Sequence, residues 1–481
     1  VSDPTGTLVP ARSLAELAFS RAAGAPLIGG NALRLLLDAG ENYPAWREAI
    51  RSAKQAVFFE NYIIRPDATG RSFRDELAER AAAGVRVCVL LDWFGSFNTP
   101  RSFWEPLIRA GGCVRYHNPP DLSGELNWLS RDHRKSLVVD GRIGFISGVC
   151  VSDVWLGDPK RGVEPYRDTG VELRGPAVAD LTRAFAQIWS RNGPAIPAED
   201  LAALPVSADE GGIALRIVAT TPNATALYRL DLLVASLAQR RLWLTDAYFA
   251  GTPSYVQALQ SAARDGVDVR LLVPGGSDLP WLRPFTTAGY RPLLHAGVRV
   301  FEWNGSMIHA KTAVADDRWA RVGSTNLNMV SWLTNYELDV AVDDEGFARE
   351  MAGAYERDLT HATEIVLKKR RRVRVPAQEG ARERSKPARG SLARATAGAL
   401  RFTRTVSAAM SSQRVLDKAD TVTLLTAAGI MLLFAAAAAL FPRFAAWSVA
   451  SCVGAAGLFL LLRVLCTRAR RSRAKKAPPP A

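Results

Sequence analysis

Cysteine is scarce in this chain: Cys88, Cys113, Cys150, Cys452 and Cys466 are odd in number, scattered, and include no Cys-x-x-Cys pair. That excludes a disulfide scaffold or a zinc cluster as the organising feature and fits a reducing compartment. Histidine is as rare, at five, and lysine numbers ten against fifty-one arginines. No long apolar stretch follows a basic start in Val1 to Pro26, so no secretory signal is expected there. Positive charge is also missing from most of the length. The net charge of +14 resides wholly in the C-terminal region, leaving residues 1–367 slightly acidic. A protein that grips nucleic acid through its catalytic body would carry its basic residues on that body, so long polyanions are poor candidates for its partner. What the chain does have is bulk: 481 residues, 48% of them hydrophobic, supply cores for two or three units.

The few histidines and lysines are not placed at random. His133-Arg-Lys135-Ser-Leu-Val-Val-Asp140 and His309-Ala-Lys311-Thr-Ala-Val-Ala-Asp316 share the spacing H-x-K-x-x-x-x-D, and each is followed at equal distance by a small-residue turn, Ser147-Gly148 or Gly323-Ser324. Two matches over so many positions make a repeat. The apolar and β-branched run after each Lys reads as a strand, on which positions i and i+2 share a face, so His and Lys emerge side by side. Imidazole can act as nucleophile or proton carrier near neutral pH, and an ammonium neutralises a phosphate oxygen, so the pair suits a phosphodiester. For Asp140 and Asp316 two readings stand side by side. One is membership of the catalytic set; the other is turn chemistry, since Asp140-Gly141-Arg142 precedes a second apolar run as in a hairpin.

The duplication extends beyond the motif. In the first half a strand (Ala56 to Ile64), a helix (Ser72 to Ala83) and a strand (Val85 to Asp92) give a β-α-β rhythm. Leu242 to Phe249, Tyr255 to Arg264 and the strand after Gly266 answer it in the second. Aligning the halves pairs Glu60-Asn61-Tyr62 with Asp246-Ala247-Tyr248. Glu60 and Asp246 are candidate pocket residues, with a buried acid bonded to backbone as the alternative. Downstream of each motif a further acid, Asp168 or Glu337, opens an apolar strand.

These features together resemble the phospholipase D superfamily, and within it the bacterial cardiolipin synthases. The likeness rests on the duplicated motif, on Gly323-Ser324-Thr325-Asn326, and on the stretches Phe59-Glu60-Asn61-Tyr62-Ile63, Gly84-Val-Arg-Val and Asp92-Trp-Phe-Gly95-Ser96. It covers about residues 25 to 366. The resemblance implies two tandem α/β/α sandwich halves in a pseudo-twofold arrangement, with the site between them. It assigns Asp168 and Glu337 as His-orienting acids, with Asp168 expected to serve His133 and Glu337 to serve His309. Ser324 and Asn326 are implied as phosphate-binding. Cys150 stands in the first half where the family usually has Asn. One His, expected to be His133, attacks phosphorus while the other handles the leaving and incoming alcohols. No metal or other cofactor is expected.

The implied activity is phosphatidyl transfer to phosphatidylglycerol, with phosphatidylethanolamine as a candidate second donor. Hydrolysis of phospholipids to phosphatidic acid is the alternative, and a membrane-tethered nuclease a third reading; no nucleic-acid partner is expected.

The expected organisation is an N-terminal segment (1–40), a first half (41–195), a linker (196–212) with one helical turn, a second half (213–366) and a basic linker (367–420). A transmembrane hairpin (421–462) and a basic tail (463–481) complete it. Thr421 to Phe441 and Phe444 to Leu462 are runs of 21 and 19 uncharged residues, each long enough to span a bilayer as helix. Basic residues crowd both outer flanks, which orients the hairpin with body and tail in the cytoplasm of a bacterium.

Overall fold

Strand β1 (Ile28–Leu37), which the sequence reading leaves in an N-terminal segment, lies at the centre of one 16-stranded sheet. The structure, a computed structural model, describes residues 11–119, 130–205, 207–276, 283–368 and 371–376. In chain order the first arm continues with β2 (Ala56–Asn61), β3 (Arg86–Asp92), β4 (Cys113–His117), β5 (Lys135–Val139), β6 (Ile143–Ser147) and β7 (Thr169–Arg174). The second arm comprises β8 (Ile213–Thr220), β9 (Arg241–Thr245), β10 (Asp268–Pro274), β11 (Arg299–Trp303), β12 (Thr312–Ala315), β13 (Trp319–Gly323) and β14 (Glu337–Asp343). Beyond β11 the sheet is extended by β15 (Ala362–Lys368) and β16 (Arg371–Pro376).

Read outward from the centre, the arms run β1-β7-β6-β5-β2-β3-β4 and β8-β14-β13-β12-β9-β10-β11, the same order twice. Strands β2, β3 and β4 are parallel, as are β9, β10 and β11. Parallel neighbours need a long crossover, supplied by helices such as Ala68–Ala82 and Pro253–Arg264. By contrast β5-β6-β7 and β12-β13-β14 are antiparallel. The hairpin turns place Asp140-Gly141 and Asp316-Asp317 at positive φ, a conformation that glycine and short acidic side chains tolerate. The linker carries its expected single helical turn, Ala198–Ala202.

One face of the sheet is covered by a core common to both arms. Helix Val178–Ser190 presents Val178, Leu181, Phe185, Ile188 and Trp189 at helical spacing, and helix Glu345–Thr360 adds Phe347, Met351 and Tyr355. On the other face each arm has its own cluster, around Trp46, Phe59 and Phe73 in the first and around Leu230, Leu244 and Tyr255 in the second. Among the described residues no helix is long and apolar enough to cross a membrane. The expected hairpin at 421–462 lies outside the described residues.

Candidate active site

His133 and His309 sit just before β5 and β12, where the ends of those strands face the seam between the arms. The backbone exchanges partners across that seam. His133 N–H donates to the Tyr336 carbonyl at 2.9 Å, and His309 N–H donates to the Arg167 carbonyl at 2.7 Å. Tyr336 and Arg167 immediately precede the acids Glu337 and Asp168, so each histidine is brought to the acid of the other arm. His133 Nδ1 lies 2.9 Å from Glu337 Oε2, and His309 Nδ1 lies 2.8 Å from Asp168 Oδ2. This corrects the pairing expected from sequence, which matched acid and histidine within one half. Order along the chain does not show which strand ends meet at the seam; the sheet topology does.

Both imidazoles are nearly enclosed, with side-chain exposures of 12% for His133 and 8% for His309. Burial, the dominant effect, pulls both down to about 4 against the opposing pull of their carboxylates, and the ammonium charges of Lys135 and Lys311 lower both further. Burial pushes Asp168 up, but His309 and Lys311 outweigh it and bring the carboxyl down to about 2. Glu337 is likewise held below its ordinary value, chiefly by His133 against the effect of burial. At neutral pH each couple is therefore a neutral imidazole giving its Nδ1 proton to a carboxylate, which leaves the Nε2 lone pair available.

Lys135 and Lys311 are buried beside them, each Nζ donating to the carbonyl of its own motif histidine. Burial pulls Lys311 down to about 8, Asp168 opposing and the charge of Lys135 adding to the fall. Two ammonium groups that feel one another across the seam make a site for an anion. Tyr62 and Tyr248 complete the walls. The ring of Tyr62 meets His133 edge-on at 4.9 Å, and that of Tyr248 meets His309 at 6.0 Å.

Ser324 is placed differently from the expectation of a phosphate ligand. Its Oγ donates to Glu337 Oε2 at 2.6 Å and accepts from Leu338 N, so it holds the acid that holds His133. Asn335 adds a bond to Glu337 Oε1 at 3.2 Å. In the first arm the matching position is Gly148, where a Cβ would come within 2.2 Å of Asp168 Oδ1. Asp168 is held instead by Thr169 N–H and by Trp155 Nε1 at 3.1 Å, and the Trp155 ring stands perpendicular to His309 at 5.6 Å. Trp155 carries no motif signal and was not legible in the sequence. Asn326 is buried, and its Oδ1 has no hydrogen-bond partner among the described residues.

Asp140 and Asp316 stand away from the chemistry. At roughly 3.3 Å of rise per residue, each is about 16 Å along its strand from the motif Lys. Asp140 accepts the N–H groups of Lys54, Gln55 and Ala56 at 2.7–2.9 Å, and Asp316 those of Gln239, Arg240 and Arg241 at 2.7–3.0 Å. These carboxylates seat the loop before β2 or β9; the turn reading describes their geometry and the catalytic reading does not.

Glu60 and Asp246 are not equivalent. Asn61 pairs with Lys135 in the sheet, while Asp246 follows Thr245, the partner of Thr312. Asn61 is thus the counterpart of Asp246, and each accepts from the backbone N–H two residues on. Glu60, one residue earlier, falls on the opposite face, bonded to Ser136 and pushed up by burial. Asp246 is a buried acid bonded to Tyr248 N and Leu327 N, raised to about 6 by burial. The register of the strand end, invisible in the sequence, decides both.

Comparisons with known proteins bear on this arrangement. A family model described as "Cardiolipin synthase, PLD-like domain" matches residues 234–359, within the second arm. Cardiolipin synthase A of Pseudomonas aeruginosa is 36% identical over 372 residues, covering 76% of this chain and 74% of that protein. The chain belongs to the phospholipase D superfamily, on its cardiolipin synthase branch. Cardiolipin synthase A of Pseudomonas fluorescens, another member of the branch, is 33% identical over 364 residues, or 74% of each chain. At the level of fold alone, a phosphatidylserine synthase from Haemophilus influenzae superposes with a TM-score of 0.57 at 14% identity, covering 72% of this chain and 92% of its own. Within the superfamily, this chain joins two His–carboxylate couples that are both formed across the seam.

Proposed function

We propose that this chain is a phosphatidyltransferase that joins a phosphatidyl group to phosphatidylglycerol, making cardiolipin through a phosphohistidine. The observation that carries the reading is the crossed pair of His–carboxylate couples beside two buried ammonium groups. His133 Nε2 attacks phosphorus, forming an N–P bond as the ester P–O bond breaks. The leaving alcohol oxygen takes a proton from His309, which an anionic diester between the two rings favours in its protonated form. The hydroxyl of phosphatidylglycerol then attacks phosphorus, His309 accepts its proton, and the N–P bond breaks to return His133. Glu337 stabilises the positive charge on His133 while it carries phosphorus, and Asp168 does the same for protonated His309. Lys135, Lys311 and Asn326 offset the charge on the non-bridging oxygens.

The two arms are read as phospholipase D-like halves about a pseudo-twofold axis, with β1 added to the first. Residues 421–462 are read as a transmembrane hairpin that holds the body at the cytoplasmic face of a bacterial inner membrane. The uncharged runs and the basic flanks support this.

The test is lipid analysis of liposomes containing phosphatidylglycerol, with and without phosphatidylethanolamine, for the parent chain, His133→Ala and His309→Ala. Cardiolipin formed by the parent alone supports the reading. Phosphatidic acid in its place makes the protein a hydrolase, and no lipid turnover removes the proposal.

A further inference from the structure

The turn that follows β3, Trp93 to Phe97, exposes aromatic rings beside the reaction centre. Phe97 is 50% exposed, and Trp93 and Phe94 are half-buried. The Phe97 ring does not stand alone, since it lies 6.4 Å from that of Phe94, and neighbouring apolar surface of this kind marks a contact site. The turn is not a loose tip. Asp92 Oδ1 accepts Phe94 N and Gly95 N at 2.9 Å, and Ser96 Oγ bridges the Tyr62 carbonyl and Ile64 N. Gly95 is so close to Tyr62 that a Cβ there would fall 2.2 Å from its carbonyl oxygen and 2.8 Å from its ring. Tyr62 is the ring that meets His133, so only one layer of side chain separates the exposed turn from the candidate nucleophile. The other Asp92 oxygen accepts Asp132 N at 2.9 Å, fixing the turn to the residue preceding that histidine.

Positive charge accompanies the rings. Arg131, 6.0 Å from the Phe94 ring, is largely buried and paired with Asp92 at 3.5 Å, so the exposed charge is that of Arg65 and Arg101 on the segments flanking the turn. On a body that is otherwise slightly acidic, Trp, Phe and Arg gathered at the rim of an anion site match the interfacial layer of an anionic bilayer. There aromatic rings settle at headgroup depth and basic side chains meet phosphates.

We infer that the Trp93–Phe97 turn enters the headgroup layer of an anionic phospholipid bilayer and sets the mouth of the site against the lipid it draws from. The inference rests on the proposed lipid chemistry and adds to it where the substrate enters. It places the C-terminal ends of β2 and β3, from which the turn projects, toward the membrane and their N-terminal ends, near Lys54, toward solvent.

The experiment uses the full chain in phosphatidylglycerol-containing liposomes, with Cys113, Cys452 and Cys466 replaced by Ser. A single environment-sensitive fluorophore is attached at Phe97→Cys or, as control, at Lys54→Cys. Spin-labelled lipids that quench shallow in the bilayer should quench position 97 and not position 54. Quenching at neither position, or equally at both, overturns the inference. Cardiolipin is measured in the same samples. Cardiolipin without quenching at 97 leaves the enzyme reading standing and the turn inference refuted, whereas quenching without cardiolipin does the reverse. In mixed micelles, Phe97→Asp should raise the apparent KM for lipid roughly tenfold, the loss expected for one unburied Phe side chain, with kcat unchanged and Phe97→Leu largely restoring it. A fall in kcat with unchanged KM would overturn the interfacial role.

Discussion

Trp46, Phe59, Phe73 and Phe145 form the layer beneath the first arm's strands, Trp46 standing 6.1 Å from Phe59 and 6.2 Å from Phe73. Counting from the matched helix ends at Ala53 and Ala238 and at Ala83 and Asp265, and from the matched strand registers, the second arm has Asp231, Leu244, Tyr255 and Arg321 at those places. Arg321 is fully buried, bonded to Asp339 at 3.1 Å and lying 3.6 Å from Asp231. Asp339 in turn accepts the Thr325 hydroxyl. Its counterpart in the first arm is Gly170, which faces Ser147, while Asp339 faces Gly323. A Cβ on either glycine would overlap its partner, at 2.7 Å from the Ser147 Cβ or 2.2 Å from Asp339 Oδ1. One backbone is thus supported by rings on one side and by charges on the other. Each solution is a set of residues that fit only together. The charged set also reaches the site, because Thr325 lies in the turn that carries Ser324 and Asn326.

The comparison is most sharply broken at the crossed acids. Asp168→Asn should lower turnover roughly 10³–10⁴-fold by acting on His309, and Glu337→Gln should do the same by acting on His133. Rapid-quench trapping separates them. Asp168→Asn, which leaves the His133–Glu337 couple intact, should still show phosphatidyl-enzyme on His133 during slow turnover, whereas Glu337→Gln should show far less; the opposite pattern would exchange the roles of the two histidines.

Next in size is the core. Arg321→Met leaves two carboxylates buried without their cation and should cost about 3–5 kcal/mol in urea unfolding. Phe145→Ala, at the matching place, should cost a similar amount, about 3–5 kcal/mol, through a cavity. The two differ in rescue: adding Asp231→Asn and Asp339→Asn should recover part of the loss from Arg321→Met, and has no analogue for Phe145→Ala. A failure to recover would mean that the charges are not what holds the second arm.

A pH series distinguishes the arms further. Burial pushes Asp231 up to about 6 and Asp339 up to about 7. A raised carboxyl pKa means that the folded state binds more protons than the unfolded one, so this contribution to stability is present below pH ~4 and is lost as pH rises to about 7. Asp168, lowered to about 2, acts in the opposite sense, its contribution being lost as pH falls from about 4 to about 2. Unfolding midpoints of the parent should therefore fall more steeply between pH 4 and 7 than those of Asp339→Asn. Equal slopes would remove the raised acid from the account.

The smallest effect is expected at the residues that hold the acids. Trp155→Phe and Ser324→Ala each remove one hydrogen bond to the acid and should slow turnover about fivefold, the rate equivalent of about 1 kcal/mol. In the pH–rate profile each should displace a different limb, Trp155→Phe through Asp168 and His309, Ser324→Ala through Glu337 and His133.

The local features of the site were legible in the sequence because they follow from strand alternation. Lys135 and Lys311 flank their histidines on one face for that reason, and the β-α-β rhythm around β2 and β3 shows in the apolar spacing. Long-range features were not legible. Which acid meets which histidine depends on the seam, the offset between Glu60 and Asp246 on where a strand ends, and the position of β1 on pairing with β7 and β8. Trp155 is invisible for the same reason, since its place is fixed by a contact with Asp168 that no spacing rule describes.

The exchange of carboxylates across the seam also bears on kinetic order. An arm standing alone would hold a histidine without its acceptor, and two separate copies would have to meet before either could work, so their rate would rise with the square of their concentration at high dilution. Joined in one polypeptide, the arms meet at a fixed effective concentration. Turnover per chain is then independent of how far the protein is diluted, and a defect in either acid is carried by the same molecule that bears the other.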